Sequence, residues 1–126
     1  MSWKRWLGAS SWVKYRFEHL RRWREYSEKV ARAAKDLLPD AEVYIIGGIA
    51  EERVTVLSDI DILVVVPRTL SNEELKRLPV EVLLRAIEGY ELPWDAPVEI
   101  HVADAKTLQL YAKVLGKAIR VGPSYS

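Results

Sequence analysis

The 126-residue sequence predicts an α/β (α+β) fold built on one small mixed sheet flanked by helices. Three observations carry that prediction. Two apolar runs of strand length, EVYII (Glu42–Ile46) and DIDILVVV (Asp59–Val66), end on Gly47-Gly48 and on Pro67. A third stretch, VEIHV (Val98–Val102), alternates apolar and polar residues as a strand does. Long segments of helix-forming residues surround these runs, so the order is helix, strand, strand, helix, strand, helix around one sheet. The length suits one domain, in which a basic, aromatic helical segment (1–39) packs on the sheet-bearing remainder (40–126).

Taken in order, Ser10 or Ser11 caps a long helix that runs to about Leu38 and stops at Pro39. Val13, Phe17, Leu20, Val30, Ala34, Leu37 and Leu38 recur along it at helical spacing. Glu42–Ile46 is a short buried strand, and RVTVL (Arg53–Leu57) is either a short strand or an extended loop. The DIDILVVV run is the strongest strand signal in the chain. Ser71 with Glu74 forms a capping box for the next helix. Pro79 then opens a second helical piece reaching about Glu88, with Gly89 as its stop. After the VEIHV strand, Asp104 caps a helix from Ala105 to Leu115 that Gly116 ends, and AIRV adds a final edge strand.

Composition narrows the function classes. Without cysteine there is no disulfide framework, thiolate zinc site or cysteine nucleophile, and a reducing, cytoplasmic setting is expected. The longest apolar run falls far short of the roughly 18–20 residues a bilayer span requires, and MSWKRWLGASSW lacks the apolar core of a signal peptide. The net charge of +1 hides an asymmetry: residues 1–39 hold ten Lys/Arg against four Asp/Glu, and residues 40–126 hold nine against fourteen.

The chemistry points to the acidic part. Asp59 and Asp61 lie one residue apart at the mouth of a strand, on one face and roughly 7 Å apart. Each raises the cost of ionising the other unless a cation sits between them, and a hard oxygen-seeking ion such as Mg²⁺ answers that need. Gly47-Gly48 ends the preceding strand, where a ligand can approach the backbone closely. Antiparallel pairing of the first two strands brings glycines and aspartates to one edge of the sheet. A crossover then returns VEIHV parallel to the second strand and delivers Glu99 to the same edge. His101 shares the face of Glu99, as a base, a ligand or a structural hydrogen-bonder.

With these residues placed, the pattern IIGG…SDIDILVVV, followed by an acid on a later strand, resembles the nucleotidyltransferase superfamily whose palm is shared with DNA polymerase β. It is most similar to its minimal, stand-alone members. The resemblance spans about residues 42–104. It implies metal-dependent transfer of a nucleoside monophosphate, AMP first among the choices, from an NTP to an acceptor hydroxyl, with a partner protein among the candidate acceptors. Asp59, Asp61 and Glu99 match the catalytic metal ligands, with two Mg²⁺ ions clamping the attacking and leaving oxygens. Gly47 and Gly48 match the phosphate-binding residues, and Ser58 adds a hydrogen bond there. Glu51 and Glu52 depart from the family's basic residue and glycine, and repel a triphosphate unless they point away or pair with Arg53. The third acid is Glu where Asp is commoner.

The resemblance also implies an alternative: a weakly active or inactive binding subunit, antitoxin-like, that neutralises a helical partner protein. Trp3, Trp6, Trp12 and Trp23 stand among Lys4, Arg5, Lys14, Arg16, Arg21, Arg22 and Arg24. That mixture suits a partner or homo-oligomer contact first, core packing second and nucleic acid third. Trp94, beside Asp95, either lines the site or fills its loop.

Overall fold

A computed structural model describes residues 3–55 and 57–122, with side chains from residue 11 onward. The chain runs through α1 (Trp3–Arg21), α2 (Trp23–Leu37), β1 (Glu42–Ile46), a single turn α3 (Gly47–Ala50) and β2 (Ile60–Val65). It continues through α4 (Asn72–Tyr90), β3 (Val98–Ala103), a 3₁₀ turn (Leu108–Tyr111), α5 (Ala112–Leu115) and β4 (Ile119–Arg120). The four strands form one sheet in the order β3-β2-β1-β4. β1 is antiparallel to both β2 and β4, and β2 is parallel to β3, so the sheet is mixed as the sequence predicts.

Alternation along the strands gives the sheet two different faces. Val43 and Ile45 of β1 and Ile60, Ile62 and Val64 of β2 bury against α2 and α4, whose Tyr26, Val30, Ala34, Leu78, Val82 and Ala86 complete the main core. The opposite face carries Ile46, Leu63 and Ala103 in a smaller cluster, covered by Tyr111, Val114 and Leu115 from the 3₁₀ turn and α5. That cover reaches only part of the face. Asp61, Glu99 and His101 lie on the same side and remain partly open to solvent.

Four details differ from the sequence-based expectation. The N-terminal helix is two helices, broken at Arg22, where the Arg22 amide bonds the His19 carbonyl and the α-helical ladder lapses. No Gly or Pro marks that break, and a 2.7 Å bond between His19 Nδ1 and the Tyr26 hydroxyl spans it. Pro79 opens no second piece but lies inside α4, which runs past Gly89 and closes on Glu91 in the left-handed region (φ 59°). The capping box of Ser71 and Glu74 and the buried faces of Leu78, Val82 and Ala86 hold that helix through the missing proline N–H. The stretch from Ala105 to Leu115 folds as a turn, a 3₁₀ turn and one α-turn: Asp104 caps its start by accepting the Lys106 and Thr107 amides, but the ladder beyond tightens to a three-residue bond from the Leu110 amide to the Thr107 carbonyl. Finally, α1 begins at Trp3, so Ser10 and Ser11 lie within the helix and neither caps it. Of the two readings of RVTVL, residues 53–55 and 57 take the loop, and Val56 lies outside the described residues.

Of the four N-terminal tryptophans, Trp23 packs against the main core with Arg24 stacked 4.5 Å from its ring centre, and Trp12 is exposed. The side chains of Trp3, Trp6, Lys4 and Arg5 lie outside those described. Among the described residues, no helix is long and apolar enough to cross a membrane.

Candidate active site

Strand register assembles the site. Ile46 pairs with Asp61, and Asp61 pairs with Glu99, so the end of β1 and two carboxylates form one row across three strands. The next row inward is Tyr44, Leu63 and His101. Among the described residues, Asp61, Glu99 and His101 each offer one donor atom within 4.8 Å of the others. Burial pushes the Asp61 carboxyl above its ordinary range and the neighbouring Glu99 adds to the rise, against a smaller downward pull from His101. Two carboxylates held side by side on rigid backbone, one of them resisting ionisation, form a pair that a cation would relieve.

Gly47 is the third part. It sits in the left-handed region at φ 72°, and a Cβ there would lie 2.6 Å from Asp61 Oδ2. Any side chain would therefore meet the carboxylate, and only glycine leaves the backbone this close to it. A Cβ on Gly48 would stand 3.2 Å from the Arg53 carbonyl oxygen, where the loop folds back and the Arg53 amide bonds the Gly48 carbonyl at 2.8 Å.

Asp59 is placed differently. It precedes β2 in the loop, its side chain is half exposed, and Arg16 Nη2 of α1 stands 3.8 Å from its Oδ1. The same guanidinium donates to the Ser58 carbonyl at 3.0 Å. The Ser58 hydroxyl accepts the Thr55 amide at 2.8 Å and so helps shape the loop. A second tie joins α1 to the edge: the Tyr15 hydroxyl bonds Asp95 in the loop before β3, with His19 Nε2 3.8 Å from the same carboxylate. Both Tyr15 and Asp95 respond to that bond, the phenol raised and the carboxyl lowered from their ordinary values.

The two glutamates that follow Gly47-Gly48 have different surroundings. Glu51 pairs with Arg53 Nη2 at 3.3 Å and Lys117 Nζ at 3.8 Å, which offsets its charge. Glu52, at φ 57°, lines an open groove with Phe17 and Trp23. Trp94 and Leu57 are exposed at the rim formed by the loops before β3 and β2. Sequence alone gave no sign of Arg16, whose partners lie more than forty residues away. The approach of His101 follows from the same alternation that places Glu99.

Comparison with known proteins places the chain in a family. The family model of the nucleotidyltransferase domain matches residues 27–113. The chain belongs to that family. Among solved structures, it is similar to a chain from a toxin–antitoxin crystallised with AMP-PNP, at a TM-score of 0.51 and 18% identity over 76% of this chain and 72% of that one. This second likeness is one of fold. Curated protein sequences give no match.

Proposed function

We propose that this chain is a divalent-cation-dependent nucleotidyltransferase that moves a nucleoside monophosphate, AMP first among the choices, from an NTP to an acceptor hydroxyl. The observation that carries this is the in-register Asp61–Glu99 pair with Gly47 packed against it, in a chain of this family. The donor set suits a metal: two adjacent carboxylates on neighbouring strands, and a backbone from which a Cβ is excluded. Asp61 and Glu99 would hold the cation, with Asp59 joining from the loop. When bound, it would neutralise phosphate charge and stabilise the developing oxyanion.

The remaining work falls to the chain. The Gly47-Gly48 backbone admits the β and γ phosphates where a side chain would block them. The acceptor oxygen forms a bond to the α-phosphorus as the bond to the β-phosphate oxygen breaks, and pyrophosphate leaves. Glu99, more exposed than Asp61, is positioned to receive the acceptor proton. The acceptor is a hydroxyl on a partner protein, in keeping with the toxin–antitoxin neighbour.

A second reading, a binding subunit that neutralises a helical partner in antitoxin fashion, draws support from Trp94 and Leu57. They expose apolar surface in the loops that lead into β2 and β3, the strands that carry the two carboxylates. Labelled ATP, a divalent cation and candidate partner proteins test both readings at once. Transfer is expected from the wild-type chain and is lost in Asp61→Asn; equal labelling by both sinks the transferase reading. Partner inhibition that survives Asp61→Asn identifies a binding subunit.

A further inference from the structure

Carboxylates alone account for a Mg²⁺ site, but the pair on β2 and β3 has a nitrogen beside it. His101 follows Glu99 by two residues on β3, on the same face, and its register partner is Leu63, two residues after Asp61. Its Nε2 lies 3.5 Å from Asp61 Oδ1 and 3.9 Å from Glu99 Oε1. The shorter distance is beyond the 2.7–3.2 Å of an ordinary hydrogen bond. It does match a shared ion: two donors each about 2.1 Å from one metal stand roughly 3.0–3.5 Å apart at bond angles between 90° and 110°, and the exposed Glu99 side chain would have to close its 3.9 Å gap by a few tenths of an ångström to join them. The imidazole is half-buried beside Tyr111, with ring centres 6.5 Å apart, so it stands on a supported strand and not on a mobile loop. Gly47 fixes the other side, because the space a Cβ would need is taken by Asp61 Oδ2.

We propose that Asp61, Glu99 and His101 form a one-histidine, two-carboxylate site that selects a first-row transition-metal dication over Mg²⁺. Mg²⁺ takes oxygen donors and parts reluctantly with its waters, whereas imidazole suits the transition metals. Asp59, turned toward Arg16, is not needed for this donor set. The assignment rests on the role given above to Asp61 and Glu99 as cation ligands, and it adds a ligand and a metal preference to that role.

Mn²⁺ is the probe, because its electron spin resonance reports free ion and its pulsed spectrum reports directly bonded nitrogen. The full chain is titrated with Mn²⁺ without nucleotide, then with Mg²⁺ as competitor. The expected result is Mn²⁺ binding at least tenfold tighter than Mg²⁺, with a nitrogen coupling in the pulsed spectrum. His101→Gln should lower Mn²⁺ affinity about tenfold, leave Mg²⁺ affinity within twofold and abolish the coupling, while Asp59→Asn retains it. The chain has two histidines, and His19 Nδ1 is engaged with Tyr26, so a coupling that persists in His101→Gln overturns the assignment. Absence of coupling in the wild-type chain overturns it too, with no variant required. Nitrogen-coupled Mn²⁺ in a chain that transfers no nucleotide upholds this site and sinks the transferase reading. Transfer without nitrogen coupling sinks only the place given to His101.

Discussion

Asp61 stands near the start of the β2–β3 pair and Asp104 stands one residue past its end. Asp104 is fully buried, yet its carboxylate accepts the Leu70 amide at 2.9 Å, the Lys106 amide at 3.0 Å, and the Thr107 amide and hydroxyl at 2.9 Å each. These donors, the Leu70 amide foremost, hold its pKa down at about 2. Asp61 is less buried but, among the described residues, has only the long His101 contact and a second carboxylate beside it, and its pKa moves up. An acid that serves the fold arrives with its donors. One that awaits a ligand arrives without them, and its unmet charge is a cost the chain carries until the ligand binds.

The most demanding way to break this contrast is to neutralise each acid in turn. Asp61→Asn should reduce nucleotidyl transfer by on the order of 10³-fold, because the ligand proposed for the cation is lost. It should also raise the thermal midpoint by a few degrees, because a poorly solvated charge goes with it. Asp104→Asn should do the reverse. Its amide turns a donor toward a backbone N–H, so the midpoint should fall by several degrees while transfer, assayed where the protein is folded, stays within a few-fold. Calorimetry and the labelling assay on both variants check the pair, and a fall in midpoint for Asp61→Asn would break the comparison.

Acid sharpens it, since the two shifts have opposite signs. Asp104 titrates lower in the folded chain than in the unfolded one, so its contribution is complete above about pH 4 and is lost as pH falls toward about 2. Asp61 titrates higher when folded. Its contribution is complete below the ordinary carboxylate range and is lost as pH rises through its raised value. Between pH 4 and 2, denaturant midpoints of the wild type should therefore fall more steeply than those of Asp104→Asn.

A smaller effect is expected at the glycines. Gly47→Ala places a side chain at positive φ, which costs roughly 1–2 kcal/mol, and pushes its Cβ against Asp61 Oδ2. Divalent affinity should fall about tenfold with it. Gly48→Ala meets the Arg53 carbonyl oxygen at 3.2 Å and the Ser58 hydroxyl at 3.6 Å, and no positive φ, so its effect on both measurements should be milder. Equal effects at the two positions would remove Gly47 from the site.

The row Ile46–Asp61–Glu99 was legible in the sequence because it depends on short-range rules. Strand alternation, punctuation by Gly47-Gly48 and Pro67, and the parallel return of a strand after a helix fix it. What was not legible depends on long-range packing. The Arg22 break has no local signal, since Leu20-Arg21-Arg22-Trp23 is an ordinary helical stretch. Pro79 reads as a boundary, and only the burial of Leu78 and Val82 on either side of it keeps α4 whole. The different settings of Asp59 and Asp61 were equally hidden. Alternation gives them the same face, but Asp59 falls just before β2, where Arg16 reaches across from a helix outside the family match.

That last contact supports the smallest prediction. Arg16 Nη2 lies 3.8 Å from Asp59 Oδ1, with about a quarter of the Arg16 side chain and half of the Asp59 side chain exposed. A pair this open contributes about 0–1 kcal/mol to stability and the bond to the Ser58 carbonyl about 1 kcal/mol more, so Arg16→Gln should cost the fold at most about 2 kcal/mol. Its effect on cation binding should be measurable, because the guanidinium supplies at Asp59 the positive charge that a metal would otherwise supply. Divalent affinity without nucleotide should rise about two- to threefold in Arg16→Gln at low salt. The gain should shrink as ionic strength passes roughly 0.15 M and screening shortens the reach of exposed charges. It should vanish in the Arg16→Gln, Asp59→Asn double variant, where no carboxylate is left to be freed. If the double variant keeps the gain, the competition lies at Asp61 and Glu99, and the two aspartates are less separate than their surroundings make them.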